Sequence, residues 1–312
     1  MKEKISTQFE QKTLFKLILI GFFWAFCSLS LVAQVAPISD PTGGFGIDGV
    51  LESNNPTSGV GDWVEGNSGS GGFVLSNTGI AIDPNSTHLV RDLYDVNNEN
   101  VFTGGSKAND DPNTWSWSFS SATGKGDIHN ALYHLGRDNI NNDEWIIIGS
   151  DRRTTNGTSY IDFELYQETL TTNTGFGFNS GGTQGGRTVN DILLTVEYGS
   201  GGSVATVFFY LWQNVGGPNY DYVLQATTTT NAFASTNSGS TNVPFGSFGT
   251  NTYTTNQFIE GAINLTDVFG TLPDPCIGVS FKTLLIKTKA SNSLTAALND
   301  FVEPIQVVFQ FG

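Results

Sequence analysis

The sequence predicts an all-β protein, an antiparallel β-sandwich or jelly roll with one short helix, after an N-terminal signal segment. From Gly71 onward, short apolar alternations are separated by clusters of Gly, Asn, Asp and Thr, which is the pattern of strands joined by turns. Few stretches have a helical period. The chain also combines 37 glycines and 23 phenylalanines with only 14% charged residues. This composition favours a sheet-rich core over a disordered acidic chain.

The N-terminal residues 1–33 have the pattern of a secretory signal. Four lysines precede or begin an apolar run that starts at Leu17, and the small residue Ala33 is the expected cleavage point. The run approaches the roughly 20 residues that a membrane span needs, so a retained anchor is the alternative. We expect a loosely structured lead-in over residues 34–70 with one or two early strands, and a single β-sandwich domain over 71–312. The expected location is secreted or at the cell surface.

Three stretches show the clearest strand patterns. Thr114–Phe119 places aromatic side chains on one side and serines on the other, with the period of two that a pleated strand requires. Glu144–Ser150 is a continuous apolar run, which is expected of a strand covered on both faces. Ser159–Gln167 alternates between an apolar face and a polar face, and we expect the polar face to be solvated. That polar face consists of Tyr160, Asp162, Glu164 and Tyr166.

The second half of the chain predicts further antiparallel pairing and the single helix. Asp191–Tyr198 and Ser203–Trp212 are apolar runs separated by a glycine-rich segment, which predicts a hairpin. Ser293 is a suitable N-cap for a short helix that reaches Phe301, with Pro304 ending it. The stretches 127–134 and 264–270 are compatible with either helix or strand.

Charge and cysteine content exclude some classes of function. The formal net charge is −15, which repels nucleic acid and anionic lipid surfaces, so we expect no nucleic-acid partner and no peripheral membrane binding. Cys276 is the one cysteine that follows residues 1–33, so no disulfide can form within the domain, and a buried structural thiol is the expected role.

Aromatic and arginine side chains are the candidate ligand-binding residues. An aromatic platform for a sugar or peptide and a buried core are both compatible with the spacing of the aromatics. Two adjacent arginines stand out in so acidic a chain, and they either form ion pairs with Asp127, Asp151 or Asp300 or contact a ligand. The candidates are Trp115, Trp117, Tyr160, Tyr166, Arg152 and Arg153.

Oxygen-rich turns make calcium a possible cofactor. Asp138, Asn141 and Asp143 are the candidate metal ligands, and the segments 92–99 and 109–113 are similarly rich in Asp and Asn. Calcium prefers six to eight oxygen ligands, although the EF-hand order is absent here. Asp and Asn are also ordinary turn residues, which is the competing interpretation.

Several stretches share one resemblance, and they are 102–107, 125–131, 149–153 with Gly157, 191–194, 258–266 and 287–301. Taken together, they resemble a β-rich module found at the amino-terminal end of large exported bacterial cell-surface proteins of the gliding-motility and adhesin-like, repeat-bearing kind. The resemblance implies a non-enzymatic role and covers residues 71–301. In that family the module precedes repeats or an anchoring tail, so this chain is expected to be either a fragment or a version released alone.

The sequence lacks the motifs of common catalytic sites. It contains no Gly-x-Ser-x-Gly elbow with triad partners, no phosphate-binding loop and no dinucleotide fingerprint. Asp162 and Glu164 lie on one strand face, which does not create the cleft that a glycosidase pair needs. We therefore expect a non-enzymatic module for adhesion, recognition or surface architecture, whose partner is a surface glycan or a protein. A carbohydrate-binding or, less favoured, carbohydrate-cleaving domain is the alternative.

Overall fold

The computed structural model describes residues 34–41, 43–53, 59–66, 71–138, 140–228, 230–270 and 279–311. The expected signal segment and Cys276 lie outside these residues, so the expectations about them stay predictions. From Gln34 onward the chain forms one compact unit. Among the described residues, no helix has the length and apolar character that a membrane span requires.

Twenty-two strands, one α-helix and two short 3₁₀ turns make up the described structure. They are β1 (Gln34–Ala36), β2 (Phe45–Ile47), β3 (Asp62–Val64), β4 (Phe73–Leu75), β5 (Thr87–Arg91), β6 (Glu99–Thr103), a 3₁₀ turn (Pro112–Thr114), β7 (Ser116–Ser120), β8 (Asn130–Arg137), β9 (Glu144–Asp151), β10 (Ser159–Tyr166), β11 (Leu170–Thr172), β12 (Phe178–Ser180), β13 (Ile192–Gly199), a 3₁₀ turn (Ser200–Gly202), β14 (Val204–Gly216), β15 (Asn219–Leu224), β16 (Ala232–Thr236), β17 (Thr241–Ser247), β18 (Thr250–Tyr253), β19 (Phe258–Asn264), α1 (Leu265–Gly270), β20 (Val279–Lys289), β21 (Leu298–Phe301) and β22 (Ile305–Phe311).

Two large antiparallel sheets carry the fold, and the predicted all-β sandwich is confirmed. The nine-stranded sheet has the order β15-β14-β13-β10-β20-β21-β6-β7, with β22 also pairing with β20. The five-stranded sheet has the order β16-β19-β9-β8-β5. The expected hairpin between the runs that begin at Asp191 and Ser203 is present as β13 and β14, with Ile192 opposite Leu211.

The main core lies between the two large sheets. The alternating side chains of each strand explain it: every second residue of β9 and β19 faces the corresponding residues of β10, β13 and β14. Ile146 and Ile148 from one sheet and Phe163 and Phe209 from the other belong to the same buried apolar cluster. Because these side chains are at most 1% exposed, burial of this layer is a main source of stability.

The outer face of the five-stranded sheet is covered by the N-terminal segment and by the hairpin of β17 and β18. Trp63, Phe45 and Leu51 are completely buried there against the outer side of β9 and β19. Glu260 of β19 fixes this segment, since its carboxylate accepts the indole N–H of Trp63 at 2.9 Å and the backbone N–H of Gly49 at 2.6 Å. The described strands of the expected lead-in therefore contribute to the folded core.

The outer face of the nine-stranded sheet is also covered, which corrects the solvated face expected for Ser159–Gln167. Asp162, Glu164 and Tyr166 of β10 are all 0% exposed. Loops that are distant in sequence, around residues 106–117 and 170–190, pack over this face with their own apolar cluster. Alternation identified the two faces of β10 correctly, but it carries no information about what covers each face.

The helix predicted from Ser293 is wrong. This segment forms a turn that leads into β21, where Leu298 lies opposite Lys289 and Phe301 lies opposite Lys287 of β20. Pairing with β20 satisfies the backbone groups and buries Phe301 completely. The helix in the described part of the chain is α1, within the stretch whose sequence left helix and strand open. The other ambiguous stretch leads into β8.

Replacing a side chain between the sheets tests this layering. We expect Phe163→Ala to lower the free energy of unfolding by about 3–5 kcal/mol, because it leaves a cavity in a close-packed layer. Ile140→Ala is the matched control, since Ile140 is 81% exposed and its truncation should change stability by less than about 0.5 kcal/mol. Urea unfolding followed by fluorescence measures both. Equal losses for the two variants would contradict the layering.

Candidate functional site

The structure places the four predicted aromatic residues in different environments. Trp115 is 2% exposed and its indole N–H donates to the carbonyl of Lys107 at 2.8 Å. Tyr166 is fully buried in the same apolar cluster. Tyr160 is half-buried on β10, and Trp117 is half-buried on β7 at the edge of the same sheet. Trp115 and Tyr166 are therefore core residues, which corrects their assignment to a ligand platform.

The two predicted arginines have structural partners. Arg152 is fully buried, donates to the carbonyls of Gly157 at 2.8 Å and Asn256 at 3.0 Å, and lies 4.3 Å from the ring centre of Tyr198. It connects loops and faces no ligand space, so its assignment as a ligand contact is corrected. Arg153 forms an ion pair with Asp127 at 2.6 Å, one of the pairings that the sequence suggested.

The predicted metal ligands lie in the loop between β8 and β9. Asp138 is 1% exposed, and its carboxylate accepts the backbone N–H of Ile140 at 2.6 Å and the side-chain amide of Asn141 at 3.1 Å. Asp143 accepts the side-chain amide of Asn264 at 2.7 Å. These contacts describe an Asp-stabilised turn, the competing interpretation from the sequence, and Asn141 points its amide N–H toward Asp138.

A buried ion-pair cluster occupies the outer face of β10 and β20. Glu164 accepts from the guanidinium of Arg187 at 2.7 Å and from the hydroxyl of Tyr222 at 2.5 Å, and it pairs with the amine of Lys287. Arg187 also donates to the carbonyls of two loop residues, Asp110 and Ala108, at 2.8 Å each. Arg187, which belongs to one covering segment, therefore connects the other covering segment to Glu164 of the sheet.

Aromatic rings surround Arg187 and exclude water from it. Its guanidinium carbon lies 4.8 Å from the ring centre of Trp212 and 5.4 Å from that of Trp115. Desolvation pushes the pKa of Glu164 upward, but the charges of Arg187 and Lys287 outweigh it and lower this pKa to about 2. Burial has the larger effect on Lys287. Desolvation lowers the pKa of its amine, and the negative charge of Glu164 offsets only part of this decrease.

A second ion pair lies one step along the same two strands. The amine of Lys289 is 2.8 Å from the carboxylate of Asp162 and 2.9 Å from the hydroxyl of Thr195. A cavity of about 250 Å³ opens beside Lys289, and Ser159, Gly126 and Asn299 contribute to its wall. The amine of Lys289 is bound to Asp162, and Lys125 is the other charged residue of the cavity wall.

Four carboxylates meet where the two large sheets approach each other at one edge, and we call them the acidic cluster: Asp92, Glu99, Asp127 and Asp300. Asp92 follows β5 and Asp127 precedes β8 in the five-stranded sheet, whereas Glu99 begins β6 and Asp300 lies in β21 of the nine-stranded sheet. A hydrogen bond connects the two sides, because Asp300 accepts the backbone N–H of Ile128 at 3.1 Å. Within the five-stranded side, the N–H of Asp92 donates to the carbonyl of His129 at 2.8 Å.

The acidic cluster contains more negative charge than its described partners neutralise. Arg153 pairs with Asp127 and with the exposed Asp95, and none of the described ion pairs involves the other three carboxylates. Burial raises the pKa of Asp92 and of Asp127 to about 7 and also raises that of Asp300, and repulsion between these carboxylates adds to each shift.

Three oxygen atoms of the acidic cluster are buried without a hydrogen-bond partner in the described structure. They are Oδ2 of Asp92, Oε2 of Glu99 and Oδ1 of Asp127. Buried polar atoms are nearly always paired, so this concentration of unpaired acceptors is unusual. No three Asp, Glu, His or Cys side chains in the described ranges already stand in the arrangement of a metal centre.

One half-buried ring and two exposed rings form an aromatic patch on the edge strand of the nine-stranded sheet: Trp117 and Phe119 of β7, and Phe176 of the turn between β11 and β12, whose carbonyl accepts the backbone N–H of Trp117 at 2.9 Å. Phe119 is 57% exposed and Phe176 is 44% exposed. The ring centres of Trp117 and Phe176 are 4.9 Å apart, and those of Phe119 and Phe176 are 5.7 Å apart. All three pairs meet edge to face, at interplanar angles of 67–90°.

The turn that carries Phe176 holds this ring in place. Phe176 has φ of +60°, a conformation that costs energy for a large side chain. Asn173 compensates, because its side-chain oxygen accepts the backbone N–H groups of Gly175 at 2.9 Å and Gly177 at 3.1 Å. The indole N–H of Trp117 donates to the carbonyl of Gly177 at 3.1 Å, so the turn is fixed against β7.

Comparison with known proteins identified no related family. No protein-family model, curated protein or solved structure matches the chain.

Sequence reasoning missed most of these groups because they come from distant parts of the chain. Glu99 and Asp92 lie in an oxygen-rich segment that the sequence singled out, but Asp127 and Asp300 join them only in the fold. Phe119 belongs to a recognised alternation, although nothing in the sequence showed that its ring is exposed. The sequence around Phe176 indicates only a turn, through the glycines on either side of it, and does not indicate an exposed ring.

The buried ion-pair cluster predicts a specific pH dependence. The folded-state pKa of Glu164 is about 2, below its ordinary value of 4.5. Its contribution is therefore fully present above pH 4.5 and is lost as pH falls through about 2, and the shift corresponds to roughly 3 kcal/mol. We expect Glu164→Gln to destabilise the protein strongly at pH 7, and the difference from the wild type to shrink steadily between pH 4.5 and 2.

Urea unfolding at a series of pH values measures this difference. Glu168→Gln is the control, because the Glu168–Lys282 pair is about half exposed and should contribute less than about 1 kcal/mol. A difference between the wild type and Glu164→Gln that stays constant from pH 7 to pH 2 would contradict the assigned role of Glu164.

Proposed function

We propose that this chain is a non-enzymatic β-sandwich module of an exported protein, acting in adhesion, recognition or surface architecture. The observation that carries the proposal is the aromatic patch, which presents two well-exposed phenylalanine rings on a molecule whose net charge is −15. Exposed apolar clusters on soluble domains commonly mark interaction sites. The resemblance of residues 71–301 to the amino-terminal module of bacterial surface proteins is in accord with this role.

The geometry of the aromatic patch favours a protein partner. The rings meet edge to face and form a compact apolar projection rather than a flat surface. Such a projection fits a pocket of a partner protein, and aromatic side chains are frequent anchors of protein interfaces. Its position on the edge strand β7 keeps it accessible.

Carbohydrate binding is the second candidate, and the exposure of Phe119 and Phe176 supports it too, because sugars pack their C–H faces on aromatic rings. Four of the described tryptophans, in contrast, are at most 3% exposed: Trp63, Trp115, Trp145 and Trp212. These tryptophans are core residues and offer no surface to a sugar. The sugar hypothesis therefore depends on the aromatic patch alone.

The titratable groups in the interior support a role without catalysis. Glu164, Arg187 and Lys287 are bound to one another, and Asp162 is bound to Lys289. The two carboxylates that the sequence considered for glycoside cleavage are therefore neutralised inside the sheet.

Binding to paired glycan and extracellular-protein arrays tests the proposal. We expect the labelled full chain to bind selected proteins, and Phe119→Ser to reduce this binding at least about tenfold, as for a central aromatic anchor. Ile80→Ser is the control, because Ile80 is 69% exposed away from the patch. The glycan array is probed with and without calcium.

The outcomes separate the two candidates. Protein binding that Phe119→Ser removes supports the leading proposal, whereas glycan binding that the same variant removes supports the carbohydrate alternative. The assignment of the aromatic patch as the contact surface would be contradicted by the absence of binding on both arrays. Binding that Phe119→Ser leaves unchanged would contradict it as well.

A further inference from the structure

We propose that Lys289 and Asp162 condense to an intramolecular amide bond that links β20 to β10. The observation that supports this is their ion pair, in which the amine nitrogen and a carboxylate oxygen lie 2.8 Å apart and both side chains are fully buried. The bond is a self-modification of the folded chain. It does not depend on the aromatic patch or on the proposed function.

The fold holds the amine and the carboxylate together before any reaction. β10 and β20 are neighbouring antiparallel strands in which Tyr160 lies opposite Lys289, so the lysine side chain reaches one step diagonally to Asp162. Groups that are held in a reacting geometry behave as if their concentration were on the order of 10⁵–10⁸ M. Such proximity offsets the excess of water that favours hydrolysis over condensation for free amines and carboxylic acids.

The two buried lysines of β20 face carboxylates that differ in their partners. Glu164 pairs with both Arg187 and Lys287, so it stays ionised and resists attack by an amine. Asp162 pairs with Lys289 through Oδ1, and its Oδ2 is buried without a hydrogen-bond partner in the described structure. A proton passed from the amine to this free oxygen gives the neutral amine and the carboxylic acid that amide formation requires.

Thr195 of β13 lies between the two reacting groups. Its hydroxyl accepts from the amine of Lys289 at 2.9 Å and donates to Oδ1 of Asp162 at 2.7 Å. Attack on the carboxyl carbon moves negative charge onto Oδ1, and a donor that already points at this atom stabilises the charge as it develops. The hydroxyl therefore favours the reaction at Asp162.

The condensation balances without a co-reactant. Nζ of the neutral Lys289 attacks Cγ of Asp162, a C–N bond forms, and the electron pair of the C=O bond moves onto Oδ1. When this carbonyl forms again, the bond between Cγ and Oδ2 breaks. The original ammonium group gives up two protons in total, both to Oδ2, which leaves as one water molecule. Nothing is oxidised or reduced.

The surroundings favour the product. The cavity of about 250 Å³ beside Lys289, with Ser159 in its wall, can receive the water molecule that leaves. The amide replaces a buried ion pair, whose charges are costly to desolvate, by a neutral group. The bond also closes a long covalent loop between β10 and β20, which restricts the unfolded chain and thereby stabilises the folded state.

Mass spectrometry of the purified full chain tests the proposal. A tryptic digest of the wild type should contain one branched peptide in which Lys289 is joined to Asp162. Trypsin does not cleave after a lysine whose amine is acylated, so this peptide also keeps the bond after Lys289 intact. Its mass should be lower, by one water molecule, than the sum of its two component peptides.

Three variants separate the chemistry from the fold. Lys289→Arg should contain no branched peptide, because a guanidinium is a poor nucleophile. Thr195→Val should lower the linked fraction at least about tenfold at equal times after synthesis, because it removes the donor to Oδ1. Lys282→Arg is the control, since Lys282 pairs with the half-exposed Glu168 and its replacement should leave the link intact. The wild-type digest decides the proposal even if a variant fails to fold.

Two results would overturn the proposal. The first is recovery of Asp162 and Lys289 from the folded wild type in separate, unmodified peptides. The second is a water loss that fragmentation places elsewhere, either at an aspartate that has cyclised with its own backbone or at an amide between Glu164 and Lys287. An unchanged linked fraction in Thr195→Val would contradict the assigned role of Thr195.

Discussion

The structure depends on the coverage of both faces of the nine-stranded sheet. A sandwich strand normally has one buried face and one solvated face. Here the segments 106–115 and 170–190 cover the outer face around Glu164, so the charged side chains that are buried there need partners inside the protein. Glu164 meets that requirement through Arg187, Lys287 and Tyr222.

This constraint explains why charge is distributed unevenly in the interior. At the ion-pair cluster, Glu164 and Asp162 form ion pairs with three cationic side chains, and Oδ2 of Asp162 has no hydrogen-bond partner in the described structure. At the acidic cluster, four carboxylates share one arginine, and three oxygens remain unpaired among the described residues. The same burial therefore produces an ion-paired network in one place and carboxylates with raised pKa values in the other.

The sequence predicted the architecture because it encodes local periodicity. The alternation of β10, the continuous apolar run of β9 and the glycine-rich hairpin before β14 each identified a strand or turn that the structure contains. The helix predicted after Ser293 is wrong because the apolar spacing of this segment carries no information about its neighbour in the fold. Leu298 and Phe301 instead form a strand that pairs with β20. Local patterns also gave no sign that the polar face of β10 is buried, since the covering loops are distant in sequence.

The candidate sites were less predictable for the same reason. Asp300 accepts the N–H of Ile128 across 172 positions, a separation that no motif spans. The rings of Trp117 and Phe176 likewise come from different segments. Residues 92–99 gave a local signal through their density of oxygen donors, but only the fold showed which carboxylates join them.

The central claim is that the outer face of the nine-stranded sheet is sealed from water. Hydrogen–deuterium exchange of individual backbone amides tests it most directly. If that face is sealed, the amides of Asp162 to Glu164 in β10 exchange only through global unfolding, and thus as slowly as those of β9 in the other sheet. Amides of the exposed edge strand β7 should exchange much faster. Exchange in β10 as fast as in β7 would show that water reaches the ion-pair cluster, and it would contradict the account.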